Sequence, residues 1–485
     1  MEYTQSTNTE HDEHHEGTPP ARNLDFDSIS QSQLLAYEAQ YCSWGDTVHY
    51  METPKIFERC EGSFLYDSSN MPFLDLQMWH SAVNFGYANP RLNDSVSRQL
   101  DKLPQVSSKF LHREKIELAT RLAQRIEKTW GMKGRCHFNV GGAQANEDAL
   151  KLVRNFTGGK SRMFAFEGGY HGRTLATTAI TSSYRYRRSF GAFPDRAHFV
   201  PFPYCFRCPY GKKREDCGLY CVDQFARLFD SEYHGVWDAK AGESEFAAFF
   251  AEPIQGTGGY IIPPPGYFEK LKEVLEARKI LLVDDEVQMG FYRAGKFWAM
   301  ENFNVKPDVI VFGKSLTNGL NPLSGLWARE ELISPEIWGA GKTHSTYSSN
   351  PMGTAVALEN VKMMEEGDYE TSTAEKGAYF LEGLKDLQRQ FPGIVGNVDG
   401  IGMALRLELC ERDGFTPNPK LANKLNQEAF NGGIEYDGKS YGLCLDVGGY
   451  YKNTIVFAPS VEISKSEIDL GIGLLQRLMH KSIDA

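Results

Sequence analysis

The chain has 485 residues, 41% of them hydrophobic and 24% charged, with 52 Lys and Arg against 63 Asp and Glu for a formal charge of −11. That length requires more than one packed unit and the apolar fraction supplies a core, while the acidic balance argues against nucleic acid or an anionic membrane surface as the main partner. No apolar run is long enough for a transmembrane helix. The polar start has no secretory core, so nine cysteines predict a cytoplasmic protein with mostly free thiols.

In chain order, residues 1–25 come first. The stretch from Met1 to about Asn23 carries five acids against one Arg and almost no apolar side chain. It cannot bury enough surface to offset its ordering entropy, which predicts a disordered acidic tail. His11, His14 and His15 could bind a metal there, but a solvated tail is the simpler reading. From Ala36 to Gln105 no clear periodicity emerges. From Gly134 onward, short apolar runs alternate with helical patterns. Arg135–Val140 reads as a strand, and Ala145, Ala149, Leu152, Val153 and Phe156 then recur at helical spacing. Further strands are expected at Met163–Phe166, Glu245–Ala251, Ile280–Asp284 and Asp308–Gly313, with a helix over Pro263–Lys279 opened by prolines. After Ser345 come helices at Pro351–Glu366 and Ser372–Phe391 and strands at Gly402–Leu409 and Thr454–Ala458. A capping box at Ser464–Glu467 opens a last helix.

This pattern predicts an α/β fold, with a mostly parallel central sheet covered by helices on both faces and a smaller α+β domain. Residues 106–345 would form the large domain. Residues 26–105 and 346–485 would supply the small one.

In such sheets ligands sit beyond the carboxyl ends of the strands, and four of these ends carry chemistry. Gly141-Gly142-Ala143 stands where a helix begins, and unhindered backbone N–H groups there suit a phosphate; a simple turn is the alternative. Tyr170, next to His171 in Glu-Gly-Gly-Tyr-His-Gly, can stack on a planar ring or merely pack in its loop. Asp284-Asp285-Glu286-Val287-Gln288 follows an apolar run, where acids are costly unless paired; a carboxylate there can hold a cationic ring nitrogen, or serve as a cap or salt bridge. Lys314 ends another run, where lost solvation lowers an amine's pKa and frees it to form a Schiff base with an aldehyde; a snorkelling surface Lys is the alternative. A phosphate cradle, a stacking ring, a carboxylate and such a lysine together match what pyridoxal 5′-phosphate asks of a protein.

The run VDDEVQMGFYRAGKFWAMENFNVKPDVIVFGKSL resembles the signature of the class III, or omega, aminotransferases. GGAQANE, GGYHG, AEPIQG and THSTYSSNP resemble further motifs of that family, in the same order. The resemblance spans about residues 45 to 480. It implies a fold-type I enzyme and a homodimer with active sites at the subunit interface. It implies that Lys314 carries the cofactor, Asp285 bonds its ring nitrogen and Gln288 approaches its phenolic oxygen. Val287 and Tyr170 would sandwich the ring, and the Gly141–Ala143 turn would cradle the phosphate through Gly142 and Ala143. Thr346 would reach the phosphate from the partner subunit, and Glu252 would lie nearby. The implied reaction is ping-pong transfer of an amino group between an amine and a carbonyl compound.

Two positions depart from that family. Many relatives hold a substrate carboxylate with the arginine of an R-F-A-P-P segment. Here Val456 stands at that place, in Ile455-Val456-Phe457-Ala458-Pro459-Ser460. Many also have Glu after EPIQG to pair with that arginine, whereas this chain has Thr257. Losing both together strands no buried charge. One substrate is therefore expected to lack a carboxylate on its reacting carbon, as an amine, a diamine or an amino sugar would. Lys452 or an unplaced arginine could otherwise supply the clamp. Trp79, with His80 and Gln77, falls where relatives line the substrate pocket. A racemase or epimerase of the same fold stays open, and a non-enzymatic scaffold has no need of Lys314, Asp285 and Gln288. Cys205-x2-Cys208-x8-Cys217-x3-Cys221 has the look of a zinc knuckle, with disulfides or free thiols as alternatives. No metal is expected at the catalytic centre.

Overall fold

The structure, a computed structural model, describes Phe26 and residues 29–52, 54–193 and 197–483. The expected acidic tail, with His11, His14 and His15, lies outside the described residues. The chain divides into two compact units, Met1–Ile56 and Phe57–Ala485. In the first, Ser30 and Gln33 form a capping box that opens the helix Gln31–Tyr41.

In the second unit the strands are β1 (Phe57–Glu61), β2 (Phe64–Asp67), β3 (Pro72–Asp75), β4 (Gly134–Asn139), β5 (Arg162–Phe166), β6 (His198–Val200), β7 (Phe246–Ala251) and β8 (Leu281–Asp285). They continue with β9 (Val309–Phe312), β10 (Ser324–Arg329), β11 (Val395–Ile401), β12 (Ala404–Leu409), β13 (Ile434–Tyr436), β14 (Lys439–Cys444), β15 (Asp446–Gly448) and β16 (Thr454–Phe457). The central sheet has the order β4-β10-β9-β8-β7-β5-β6. Strands β9, β8, β7, β5 and β6 run parallel. Strand β10 runs antiparallel to both its neighbours, so the sheet is mostly parallel. Two smaller sheets have the orders β1-β2-β3-β14-β13 and β11-β12-β16-β15.

The sequence of the central strands explains their place. β7, β8 and β9 are buried along their whole length, as expected where helices cover both faces. Their side chains alternate between two cores. Phe249, Leu282, Ile310, Phe312 and Trp327 join the larger cluster. Ala248, Phe250, Val283, Val309, Val311 and Leu326 join the second, under the helix Gly142–Phe156. A period of two with both faces apolar leaves the polar residues of these strands only at their ends. That is where Asp284 and Asp285 close β8 and where Lys314 follows β9.

The helix over Pro263–Lys279 is observed as Tyr267–Ala277, because the proline run stays outside it. The helix expected from Ser372 starts earlier, at Tyr369, where the Asp368 side chain accepts from the Thr371 N–H. The Ser464–Glu467 box is present and opens Lys465–Ile483.

Candidate active site

The strand ends converge on Asp285. Its Oδ2 accepts from Asn146 Nδ2 at 2.8 Å and stands 2.8 Å from His171 Nδ1. Its Oδ1 accepts from the Val287 N–H at 3.2 Å. Asp285 and His171 are both buried. Thus the loop after β5, the first turn of the helix Gly142–Phe156 and the end of β8 meet at one carboxylate.

The same helix starts at Gly142 with Gly141 as its cap residue, and no side chain caps it. Its first N–H groups are therefore open to a ligand. A Cβ at Gly142 would come within 2.9 Å of Val287 Cγ1, and one at Gly172 within 2.5 Å of Ala143 Cβ. The cradle is thus tight, and small residues are required in it.

Lys314 is half-buried and adopts φ 43°, just past β9. Burial lowers its amine pKa, with the negative charges of Glu252, Asp285 and Asp446 working against the shift. Glu252, just past β7, is buried. Its two oxygens accept from the Tyr170 N–H and the Gly256 N–H, each at 2.9 Å. Burial raises its carboxyl to about 7. Gln288 donates to the Tyr260 hydroxyl at 2.9 Å, and a Cβ at Gly256 would strike its Oε1. The Tyr170 ring meets Tyr186 edge-on, with centroids 5.5 Å apart.

Val456 is 2% exposed. Its Cγ1 and the Thr257 carbonyl oxygen both lie 3.6 Å from where a Gly448 Cβ would stand, so the two departing positions flank Gly448. The Thr257 carbonyl also accepts from the Gly449 N–H at 3.1 Å. Trp79 is 61% exposed and lies against Gly319, which follows the turn of Lys314. His80 Nδ1 is 3.0 Å from Asp446 Oδ2. The Gln77 and Met78 N–H groups both donate to Asp75 Oδ1 at 2.8 Å. Met78, Trp79, His80 and Ser81 all have positive φ, from 44° to 68°. Thr346 is exposed in the turn before the helix Pro351–Glu366.

Sequence reasoning did not assign Asn146, Tyr260, Arg293 or Asp446, and gave His171 no role. Arg293 is fully buried. It donates to Ser81 Oγ at 2.8 Å, the carbonyls of Met403 and Pro459 at 3.0 and 2.6 Å, and Asn84 Oδ1 at 2.6 Å. It thereby holds the end of the left-handed segment 78–81. The only available signal was proximity: His171 adjoins Tyr170, and Arg293 follows the DEVQ run by a few residues.

Cys205, Cys208, Cys217 and Cys221 line one pocket with Tyr204, Tyr210 and Tyr220. All four thiols are free. Among the described residues, no group of three or more His, Cys, Asp or Glu is placed to hold a metal ion.

The pattern of the aminotransferase class-III family matches residues 47–479. The chain belongs to that family. The enzyme is 30% identical to the alanine/serine racemase of Pyrococcus horikoshii over 93% of its own length and 90% of the relative's. It is 30% identical to the ornithine aminotransferase of Brevibacillus brevis over 89% and 95%. The crystal structure of the omega transaminase from Pseudomonas jessenii in complex with PMP superposes with a TM-score of 0.81 at 25% identity, covering 93% of this chain and 98% of that one. Class-III aminotransferases depend on pyridoxal phosphate. The residues present fit it: an uncapped helix start walled by Val287, a buried carboxylate braced by His171 and Asn146, and a lysine whose burial favours the neutral amine.

Proposed function

We propose that this class-III aminotransferase moves an amino group from an amine that lacks a carboxylate on its reacting carbon to a carbonyl acceptor, in two half-reactions. The observation that carries this reading is the buried, uncharged Val456 at the position where a carboxylate clamp would need a cation. Arg406 is the register partner of Val456, but its Nη2 is bonded to the Tyr204 hydroxyl and to Glu408 Oε2, each at 2.6 Å.

Bound pyridoxal phosphate supplies an aldehyde that takes up the substrate amine and a ring that accepts electrons from the adjacent C–H bond. In this reading Asp285 keeps a proton on the ring nitrogen, and His171 and Asn146 hold Asp285 in place. Gln288, steadied by Tyr260, faces the phenolic oxygen. The helix start from Gly141 to Ala143 binds the phosphate through backbone N–H groups. Val287 and Tyr170 bound the two faces of the ring. Lys314, whose burial favours the neutral amine, would hold the cofactor's aldehyde and serve as the base for the proton on the substrate carbon.

Thr346, exposed in one chain, completes the phosphate site of a second copy, which makes the enzyme a homodimer. The large domain is taken as 106–345, with 26–105 and 346–485 forming the small one. The sheet joining β3 to β14 supports that division for the residues from Phe57 onward. Nine free cysteines suit a reducing compartment such as the cytoplasm, and no helix of the described residues is long and apolar enough to cross a membrane.

The test is steady-state turnover of primary amines against α-amino acids with a keto-acid acceptor. Efficient primary amines are the expected result. Robust α-amino-acid kinetics that are lost in Arg406→Ala or Lys452→Ala would overturn the reading. A racemase is the second reading, favoured by the similarity to the Pyrococcus enzyme. It would show as deuterium uptake with inversion in heavy water, without any acceptor and without a carbonyl product.

A further inference from the structure

The turn that carries Thr346 is fixed on both sides by buried side chains. The Ser345 carbonyl accepts from the Ser348 N–H at 3.1 Å and from the Ser348 hydroxyl at 2.9 Å. Thr346 and Tyr347 are therefore the two apex residues of a tight turn. Before the apex, the Thr343 hydroxyl donates to Asp148 Oδ1 at 2.7 Å. After it, the Ser349 carbonyl lies 2.9 Å from His112 Nε2. Asp148 and His112 are buried, whereas Thr346 and Tyr347 are exposed.

Asp148 belongs to the helix Gly142–Phe156, whose first turn is the phosphate cradle. Its Oδ2 accepts from Asn139 Nδ2 at 2.7 Å and stands 3.4 Å from His137 Nε2, and both of these residues lie on β4. Lys151, one turn further along the helix, donates to the Thr343 hydroxyl at 2.7 Å. That hydroxyl thus accepts from an ammonium and donates to a carboxylate, so two charged partners set its direction. In the next turn Asn155 donates to the Ile337 carbonyl and accepts from Lys342 Nζ at 3.3 Å. Successive turns of one helix therefore hold the segment that leads into the Thr346 turn. An exposed loop is mobile unless it is tied down, and a group ordered before its ligand arrives spares the cost of ordering it on binding.

We propose that Asp148, acting through Thr343, is a positioning residue for the cofactor phosphate of the partner subunit. One helix then serves two cofactors. Its start binds the phosphate of its own chain, and its second turn holds the threonine offered to the other. This rests on the reading that Thr346 completes the phosphate site of a second copy.

The experiment measures binding of pyridoxal 5′-phosphate, and of pyridoxal as its phosphate-free counterpart, from the visible absorption of full-length dimers. Hybrid dimers are purified through two different tags. One subunit carries Lys314→Ala, so only the site of the other subunit absorbs. Thr343→Val is placed either in the Lys314→Ala subunit or in the absorbing one. Lys151 lies 3.9 Å from the same Asp148 oxygen, so the carboxylate keeps a partner in this variant. Placed in the Lys314→Ala subunit, Thr343→Val is expected to weaken pyridoxal 5′-phosphate by about tenfold, the lower end of what a hydrogen bond to a charged group contributes, and to leave pyridoxal unchanged. Placed in the absorbing subunit, it is expected to change neither. Thr343→Ser, which keeps the hydroxyl, is expected to bind as the wild type does. Weakening from the absorbing subunit, equal weakening of both ligands, no weakening, or the same loss in Thr343→Ser would each overturn the inference. Thr346→Ala in the same hybrids separates it from the reading beneath it. If Thr346→Ala in the Lys314→Ala subunit weakens pyridoxal 5′-phosphate and Thr343→Val does not, only the inference fails. If Thr346→Ala acts on its own subunit or not at all, the reading of Thr346 fails and the inference with it.

Discussion

Lys314 and Asp285 illustrate what a single residue's surroundings decide. Each follows a buried apolar strand, and each gains its chemistry from that burial, the lysine through a lowered pKa and the aspartate through fixed partners. Lys314→Ala is expected to abolish the visible absorption of the loaded enzyme and to lower turnover by about a hundredfold to ten-thousandfold, the usual worth of a positioned proton-transfer group; absorbance and single-turnover rates check it. Both residues were legible in the sequence because an acid or a lysine at the end of a buried apolar run is out of place unless it is used. The partners of Asp285 were not legible. His171 and Asn146 are separated from it by 114 and 139 residues, and no local pattern encodes which side chains a fold will bring together. Asp446 was hidden for the same reason, since only the strand register sets it beside Val456.

At the scale of an element, β8 was read almost to its ends from its apolar run, while β10 was not singled out. Its Ser-Gly-Leu-Trp-Ala-Arg sequence is also compatible with helix or loop, and only its pairing with β4 and β9 makes it a strand. The end of β8 has its own pH behaviour. Asp284, in β8, and Glu286, just past its end, are both fully buried. Burial, then the charges of Glu286 and Asp285, hold the Asp284 carboxyl well above the usual range, and burial pushes Glu286 up to about 7. A carboxyl raised on folding stabilises the fold below its ordinary pKa and loses that contribution as pH rises through the folded value. The wild-type unfolding free energy should therefore fall between about pH 5 and pH 8, by an amount on the order of 3 kcal/mol if Glu286 dominates, and the melting temperature should fall with it. Glu286→Gln removes the carboxyl that titrates in that window and should flatten that slope. Thermal melts across the pH range measure it.

For the whole molecule, every residue assigned to the cofactor sits on one rim of the central sheet except Thr346, which is exposed in a turn away from that rim's hydrogen bonds. If its role lies in a second copy, two inactive variants must rescue each other. In a mixture of Lys314→Ala with Thr346→Asp, half of the dimers are hybrids with one intact site of two. About a quarter of wild-type activity is then expected after subunit exchange. No recovery would place Thr346 in its own chain's site. The architecture as a whole was legible from alternating strand and helix patterns. The residues from about Ala36 to Gln105 were not, since β3 is fixed in its sheet by pairing with β14, far later in the chain.

The left-handed run Met78–Ser81 has a consequence for how this enzyme can diverge. Four non-glycine residues in that conformation cost about 1–2 kcal/mol each, a cost that any side chain with a Cβ incurs there. Asp75 and Arg293 hold the run from beneath, through N–H groups and Ser81, and leave Trp79 and His80 unconstrained by the core. Replacing either with glycine relieves strain while widening the approach to Lys314. Mutational drift at these two positions is thus cushioned, and new amine preferences can arise there without loss of stability, whereas Arg293 has no such latitude.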